Sequence, residues 1–104
     1  MKFVARKLPA AETDAFEAAQ WYDEQQPGLG DVFIDDLDLT LELLLENPLI
    51  YSIRFEDVRC IRFRQFLSYG IYYVVGKNEI VILAVHHGAR HPRWLRERRR
   101  KFDN

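Results

Sequence analysis

The fold is decided by residues 67–87, LSYGIYYVVGKNEIVILAVHH. Residues 67–75 are rich in tyrosine and valine, and residues 80–86 are apolar or β-branched at both odd and even positions. Because successive side chains of a strand point to opposite faces, the second pattern predicts a central strand that is covered on both sides. Gly76 with Lys77 and Asn78 predicts a tight turn between the two strands. Gly70, among large residues, predicts a bulge or a close approach of two backbones.

Two helices are predicted before this hairpin. Alanines and Tyr22 recur at three- and four-residue spacing from about residue 10 to residue 26, where Pro27 and Gly28 end the helix. A leucine stripe predicts a second helix from about residue 30 to residue 46, stopped by Pro48. We expect its acidic residues on the solvent sides, namely Asp31, Asp35, Asp36, Asp38 and Glu42.

Alternation predicts further strands over residues 2–8 and 58–63, and Pro92 opens a short C-terminal helix. The predicted order is β-α-α-β-β-β followed by that helix. It defines an α+β fold in which a helical hairpin packs on a mainly antiparallel sheet. We expect one domain over residues 1–104.

Composition limits the classes of protein. Of 104 residues, 48% are hydrophobic and 30% charged, which is typical of a folded domain. Cys60 is the only cysteine, which excludes an internal disulfide and favours a reducing compartment. No apolar segment is long enough for a signal peptide or a membrane span. We therefore expect a cytoplasmic protein with no membrane partner.

Charge is divided unevenly along the chain. Residues 1–50 carry three basic and eleven acidic side chains, a net charge of −8, whereas residues 51–104 carry twelve basic and five acidic ones, a net charge of +7. Such a division favours a partner that recognises one face by its charge. The alternative is that the two halves neutralise each other within the fold.

Arginines mark one predicted strand. Arg62 and Arg64 share a face, and Ile61 and Phe63 lie on the other. Guanidinium groups on a sheet can bind phosphates or carboxylates through paired hydrogen bonds. The alternative is a solvent-facing strand on which arginine only improves solubility. With the basic C-terminal helix, the pattern favours a binding surface.

Three histidines lie between residues 86 and 91. A metal site is disfavoured, because His86 and His87 should project to opposite sides of a strand and no acid or thiol lies nearby in the sequence. We expect no metal and no cofactor. A histidine near arginines could also catalyse RNA cleavage by general acid–base chemistry. The structural alternative, in which the imidazoles cap backbone groups at a strand end and Arg90 pairs with an acid, is favoured.

Several segments along the chain form a further pattern: residues 21–30 (WYDEQQPGLG), Asn47-Pro48 with Tyr51, Val58-Arg59, residues 64–75 (RQFLSYGIYYVV), residues 82–87 (ILAVHH), and Arg90, Pro92 and Trp94. In these segments the chain resembles the ParE/RelE superfamily of toxins from bacterial type II toxin–antitoxin systems. Together the segments cover nearly the whole chain in the order of that family's elements. The resemblance implies a growth-inhibiting toxin that a cognate antitoxin neutralises, in a toxin–antitoxin hetero-oligomer, with DNA gyrase or ribosome-bound mRNA as the target.

Two departures from the RelE-like ribonucleases favour the ParE-like branch, whose members poison DNA gyrase without nuclease activity. Gly70 stands where those nucleases usually carry a basic residue, and Trp94 stands where they tend to carry a tyrosine or histidine. Trp94 cannot transfer a proton usefully at neutral pH. The leading interpretation is a toxin that is not an enzyme. The predicted target- or antitoxin-binding residues are Arg59, Arg62, Arg64, Arg90, Arg93, Trp94 and Arg96.

Two alternatives remain at this point. The first is a RelE-like ribosome-dependent mRNA endoribonuclease toxin, with catalytic candidates His87, Arg90, Arg62 and Arg64. The second is an antitoxin-bound module that has lost its toxicity.

Overall fold

The computed structural model describes residues 3–88 and 92–102. Its elements, in chain order, are β1 (Val4–Lys7), α1 (Pro9–Gln25), α2 (Leu29–Glu46), β2 (Ile53–Phe55), β3 (Val58–Arg62), β4 (Tyr69–Val75), β5 (Glu79–His87) and α3 (Arg93–Phe102). The predicted order and fold class are confirmed. The short strand β2 is an addition, because three residues are too few for an alternating pattern to be recognised in the sequence.

The five strands form one sheet in the order β1-β5-β4-β3-β2. Strand β1 runs parallel to β5, and the other neighbours are antiparallel. The predicted turn after β4 is tight: the N–H of Gly76 donates to the carbonyl of Glu79 at 2.7 Å, and Asn78 has a φ of 64°. Asparagine tolerates this left-handed conformation better than most residues, so the turn residues and the hairpin agree.

Both faces of the sheet are covered. Helices α1 and α2 pack on one face, around Phe33 and Tyr73, and α3 covers the other face through Leu95, which is fully buried. The two cores explain why β4 and β5 are apolar at both parities, since each strand contributes side chains to both.

The hairpin of α1 and α2 depends on a close approach at Gly30. A Cβ atom there would lie 2.5 Å from the carbonyl oxygen of Ala19, so any larger residue would separate the helices. The N–H of Gly30 donates to Oδ1 of Asp23 at 2.7 Å, which fixes the turn to α1. The preceding Gly28 has a φ of 90°, a conformation that glycine adopts without strain.

The expectation that Asp36 faces solvent is wrong. Its side chain is buried, with 2% of the residue exposed, and its carboxylate accepts the backbone N–H groups of Arg64, Gln65 and Phe66 at 3.1, 2.8 and 2.9 Å. A buried carboxylate needs such donors to replace water. Asp36 therefore anchors the loop between β3 and β4 to α2.

Candidate binding surface

The arginines of β3 and the neighbouring segments differ in their hydrogen-bond partners and in the face of the sheet on which they lie. Arg59 turns toward the helical hairpin, where its Nη1 donates to the carbonyl oxygens of Leu49 and Tyr51 at 3.0 and 2.7 Å. These bonds hold the segment between α2 and β2 against the sheet. Arg59, predicted as a binding residue, is thus already engaged by the backbone.

Arg62 lies on the opposite face of the sheet, beside α3. Its Nη1 donates to the carbonyl oxygens of Ser68 and Gly88, both at 3.3 Å. It is paired across the sheet with Gly70, and Gly70 is paired with His86 on β5. Because directly opposed residues of neighbouring strands share a face, Arg62 and His86 lie in one row, with no side chain between them.

Gly70 also marks the close approach predicted from the sequence. A Cβ at this position would meet Sγ of Cys60 at 2.6 Å and the carbonyl oxygen of Ile61 at 3.3 Å. A longer residue at position 70 therefore does not fit while Cys60 keeps its place. Burial raises the pKa of the Cys60 thiol, although the nearby Arg54 and Arg62 oppose the rise. The raised pKa favours the protonated thiol, which is the less nucleophilic form.

Arg64 follows the end of β3, and its side chain is exposed. Together with Arg54 and Arg62 it lines a cleft of about 460 Å³ between β3 and the segment that leads into β2. Ile50, Tyr51 and Ile61 contribute apolar surface to the same cleft. We call it the arginine cleft. Arg54 was not among the predicted site residues, because it lies in the short strand that the sequence pattern missed.

The two histidines project to opposite sides, as predicted. The His86 ring contacts Tyr72 and Trp94 on the α3 side, with its centroid 6.0 and 5.0 Å from theirs. The exposed His87 packs against Tyr69 on the side of the helical hairpin, with the two ring centroids 5.2 Å apart. Burial lowers the pKa of His86, which favours its neutral form. The structure thus puts His86, rather than His87, in the row with Arg62.

Helix α3 presents a mixed surface. Arg93 and Arg96 are exposed, and the Arg96 guanidinium lies 4.8 Å from the centre of the Phe55 ring. Trp94 is 40% exposed, and the guanidinium of Arg98 lies 4.6 Å from the centre of its ring. The contact with Phe55 holds Arg96 beside β2 without neutralising its charge.

Arg98 and Arg99 attach α3 to the rest of the fold. Arg98 donates to Asp14 on α1 at 2.7 Å, and Arg99 forms paired hydrogen bonds with Asp57 at 2.8 and 2.7 Å. The paired bonds lower the pKa of Asp57. The sequence analysis did not find these partners, because the residues are far apart along the chain.

Arg90, a candidate in both the catalytic and the binding set, lies outside the described residues. Within the described ranges 3–88 and 92–102, no three His, Cys, Asp or Glu side chains are grouped so as to hold a metal ion. In the same ranges, no helix combines the length and apolar character that a bilayer span requires.

The fold is shared with a solved structure. A solved structure described as the chromosomal ParDE TA system from P. aeruginosa superposes with a TM-score of 0.74 at 14% identity, over 84% of this chain and 97% of that one. No curated protein matches the sequence significantly.

The sequence identifies the family directly. The family described as "ParE toxin of type II toxin-antitoxin system, parDE" matches residues 6–92, most of the chain. The protein belongs to the ParE toxin family.

Proposed function

We propose that this protein is a ParE-like toxin that inhibits growth by binding a macromolecular target such as DNA gyrase. The observation that carries the proposal is a basic surface whose arginines have no acidic partner among the described residues. The ion pairs among the described residues join Arg6 to Glu79, Arg98 to Asp14 and Arg99 to Asp57. None of them involves Arg54, Arg62 or Arg64.

The cognate antitoxin is the second partner that we propose. An acidic segment of it covers part of this basic surface, because cations that become buried in an interface require opposite charges. Toxin and antitoxin then form a hetero-oligomer in the cytoplasm. The solved neighbour is described as a ParDE system, which supports a partnership of this kind.

The arrangement of the histidines argues against an enzyme. An acid–base pair for RNA cleavage needs a proton-transfer group close to the cations that hold the phosphate. His87 lies on the face of the sheet that the helical hairpin covers, away from Arg62. Trp94, on α3, stands where the RelE-like ribonucleases tend to carry a tyrosine or histidine. One observation favours the alternative ribonuclease: His86 lies in the same row as Arg62, and its neutral form could accept a proton.

The deciding experiment compares two activities of the purified toxin. We expect it to inhibit supercoiling by DNA gyrase and to leave mRNA on ribosomes intact. The reverse result would establish the ribonuclease and overturn the proposal. Normal growth on expression of the intact gene alone would favour a module that has lost its toxicity.

Variants separate the residues. The ribonuclease interpretation requires the double variant His87→Ala with Arg90→Ala to lose its toxicity, so retained toxicity in a folded variant would exclude that interpretation. Arg62→Glu weakens the complex with the antitoxin, and added salt weakens it as well. Far-UV circular dichroism confirms that each variant is folded.

A further inference from the structure

We propose that the arginine cleft binds an extended acidic peptide segment, with a carboxylate on Arg54 and peptide backbone along the open edge of β3. The inference rests on the proposed antitoxin partnership only for the origin of that peptide. It adds Arg54, a residue outside the predicted site, and it names the conformation and the charge of the ligand.

Arg54 carries the first observation. Its Nε is buried and has no hydrogen-bond partner among the described residues. A buried donor without an acceptor is costly, and a native fold that keeps one usually uses it. Arg54 lines the same cleft as Arg62 and Arg64, so three cationic residues share it, and no described carboxylate forms an ion pair with them.

The second observation is that β2 leaves part of the edge of β3 unpaired. Strand β2 pairs with β3 only at Val58 and Arg59, although the N–H of Cys60 still donates to the carbonyl of Ser52 at 3.3 Å. The N–H of Phe63 donates to the carbonyl of Tyr69, toward β4. Because backbone groups alternate in direction along an antiparallel strand, the N–H and C=O of Arg62 point outward, past the end of β2.

These features together select the ligand. An extended peptide can pair with the backbone of Arg62, as strands added to a sheet edge do. Its acidic side chains can accept from the guanidinium groups, and its apolar side chains can pack on Ile50 and Ile61. A nucleic acid offers phosphates to the arginines, but it has no peptide backbone that could pair with a free strand edge.

A labelled peptide tests this directly. The probe is an acetylated and amidated fluorescent peptide of about eight alternating glutamate and valine residues, enough to span the cleft as a strand. We expect it to bind the full chain in an anisotropy titration. Its glutamine counterpart should bind at least about tenfold more weakly, because charge-assisted hydrogen bonds are lost. The glutamate peptide methylated on alternate backbone nitrogens should bind more weakly too.

Matched variants assign the site. Arg54→Lys keeps the charge but removes the Nε donor and the planar fork, and we expect it to weaken probe binding at least about tenfold. Arg100→Lys makes the same exchange on exposed α3 surface and should leave binding within about twofold. A melting temperature for Arg54→Lys that matches the parent chain shows that the loss is not one of folding.

Several outcomes would overturn the proposal. Failure of the glutamate peptide to bind, equal binding by Arg54→Lys, or indifference to backbone methylation would each contradict it. Displacement of the probe by a single-stranded oligonucleotide at similar concentration would assign the cleft to nucleic acid. Dimerisation that Arg54→Lys abolishes would place a second copy there. Because these experiments measure peptide binding and not growth, their results are independent of whether the chain poisons gyrase.

Discussion

The carboxylate of Asp14 on α1 and the guanidinium of Arg98 on α3 meet at 2.7 Å across the edge of β5. Beyond the end of β1, the outer edge of β5 loses its strand partner. There Asp14 accepts the N–H of Val85 at 3.1 Å, and Arg98 donates to the carbonyl of Leu83 at 3.0 Å. One ion pair thus satisfies backbone groups at the edge of β5 and joins the helices on the two sides of the sheet.

Replacing Arg98 with methionine tests this connection. The methionine keeps the apolar stem against Trp94 but leaves Asp14 and the carbonyl of Leu83 without their donor. Because both groups of the pair are mostly shielded, we expect the free energy of unfolding to fall by about 1.5–3 kcal/mol in urea titrations. Arg6→Met removes the half-exposed pair with Glu79 and should cost less than about 1 kcal/mol. Equal losses would contradict the role of Asp14 and Arg98.

Asp36→Asn should be among the most destabilising conservative changes. The amide offers one oxygen in place of two and turns a donor toward the N–H groups of residues 64–66. We expect a loss of about 3 kcal/mol or more in the free energy of unfolding. Asp35→Asn is the control, because its exposed side chain should allow the change within about 0.5 kcal/mol. A small effect of Asp36→Asn would mean that the loop does not depend on its carboxylate.

Gly70→Ala tests the contact with Cys60. The new methyl group would lie within 2.6 Å of Sγ, so we expect a loss of about 1–3 kcal/mol from overpacking. Adding Cys60→Ala should recover part of that loss, because it removes the sulfur. Gly76→Ala is a control, since its Cβ would meet nothing closer than 3.5 Å. Additive effects of the changes at positions 60 and 70 in thermal unfolding would contradict direct contact.

His86 should make stability depend on pH. Burial lowers its pKa in the folded state below the usual 6.5, with Arg62, Arg98 and His87 adding to the shift and Asp14 opposing it. Between the two pKa values the unfolded state binds more protons, so stability is full above about pH 6.5 and falls as the pH drops through that window. In urea titrations at several pH values, His86→Gln should flatten this dependence. A dependence on pH that His86→Gln leaves unchanged would contradict the role of this group.

Arg54 and Arg59 should respond in opposite ways to replacement by methionine. Arg54→Met removes a buried donor that has no acceptor, so the free energy of unfolding should stay the same or rise, by up to about 3 kcal/mol. Arg59→Met removes two hydrogen bonds to backbone carbonyls and should lower it by about 1–3 kcal/mol. Differential scanning calorimetry measures both. A clear loss of stability in Arg54→Met would show that its guanidinium is structural.

Local patterns in the sequence were enough for the elements of the fold. The apolar run in residues 80–85, the leucine stripe of α2 and the turn at Asn78 each act within a few residues, so periodicity and turn chemistry reveal them. The same reasoning predicted that His86 and His87 project to opposite sides of their strand. It also predicted a close approach at Gly70. Strand β2 was not predicted from the sequence, because Ile53–Phe55 is a strand only through its pairing with β3.

The tertiary structure alone decided which charges remain available. The sequence gives Arg54, Arg59 and Arg62 the same chemistry, yet Arg59 is bound by backbone carbonyls and the Nε of Arg54 is left without an acceptor. Asp36 looks like any acid of an exposed helix and is buried under the loop that it anchors. Residues distant in the chain supply or withhold these partners, and hydrogen bonds of that kind leave no periodic signal in the sequence.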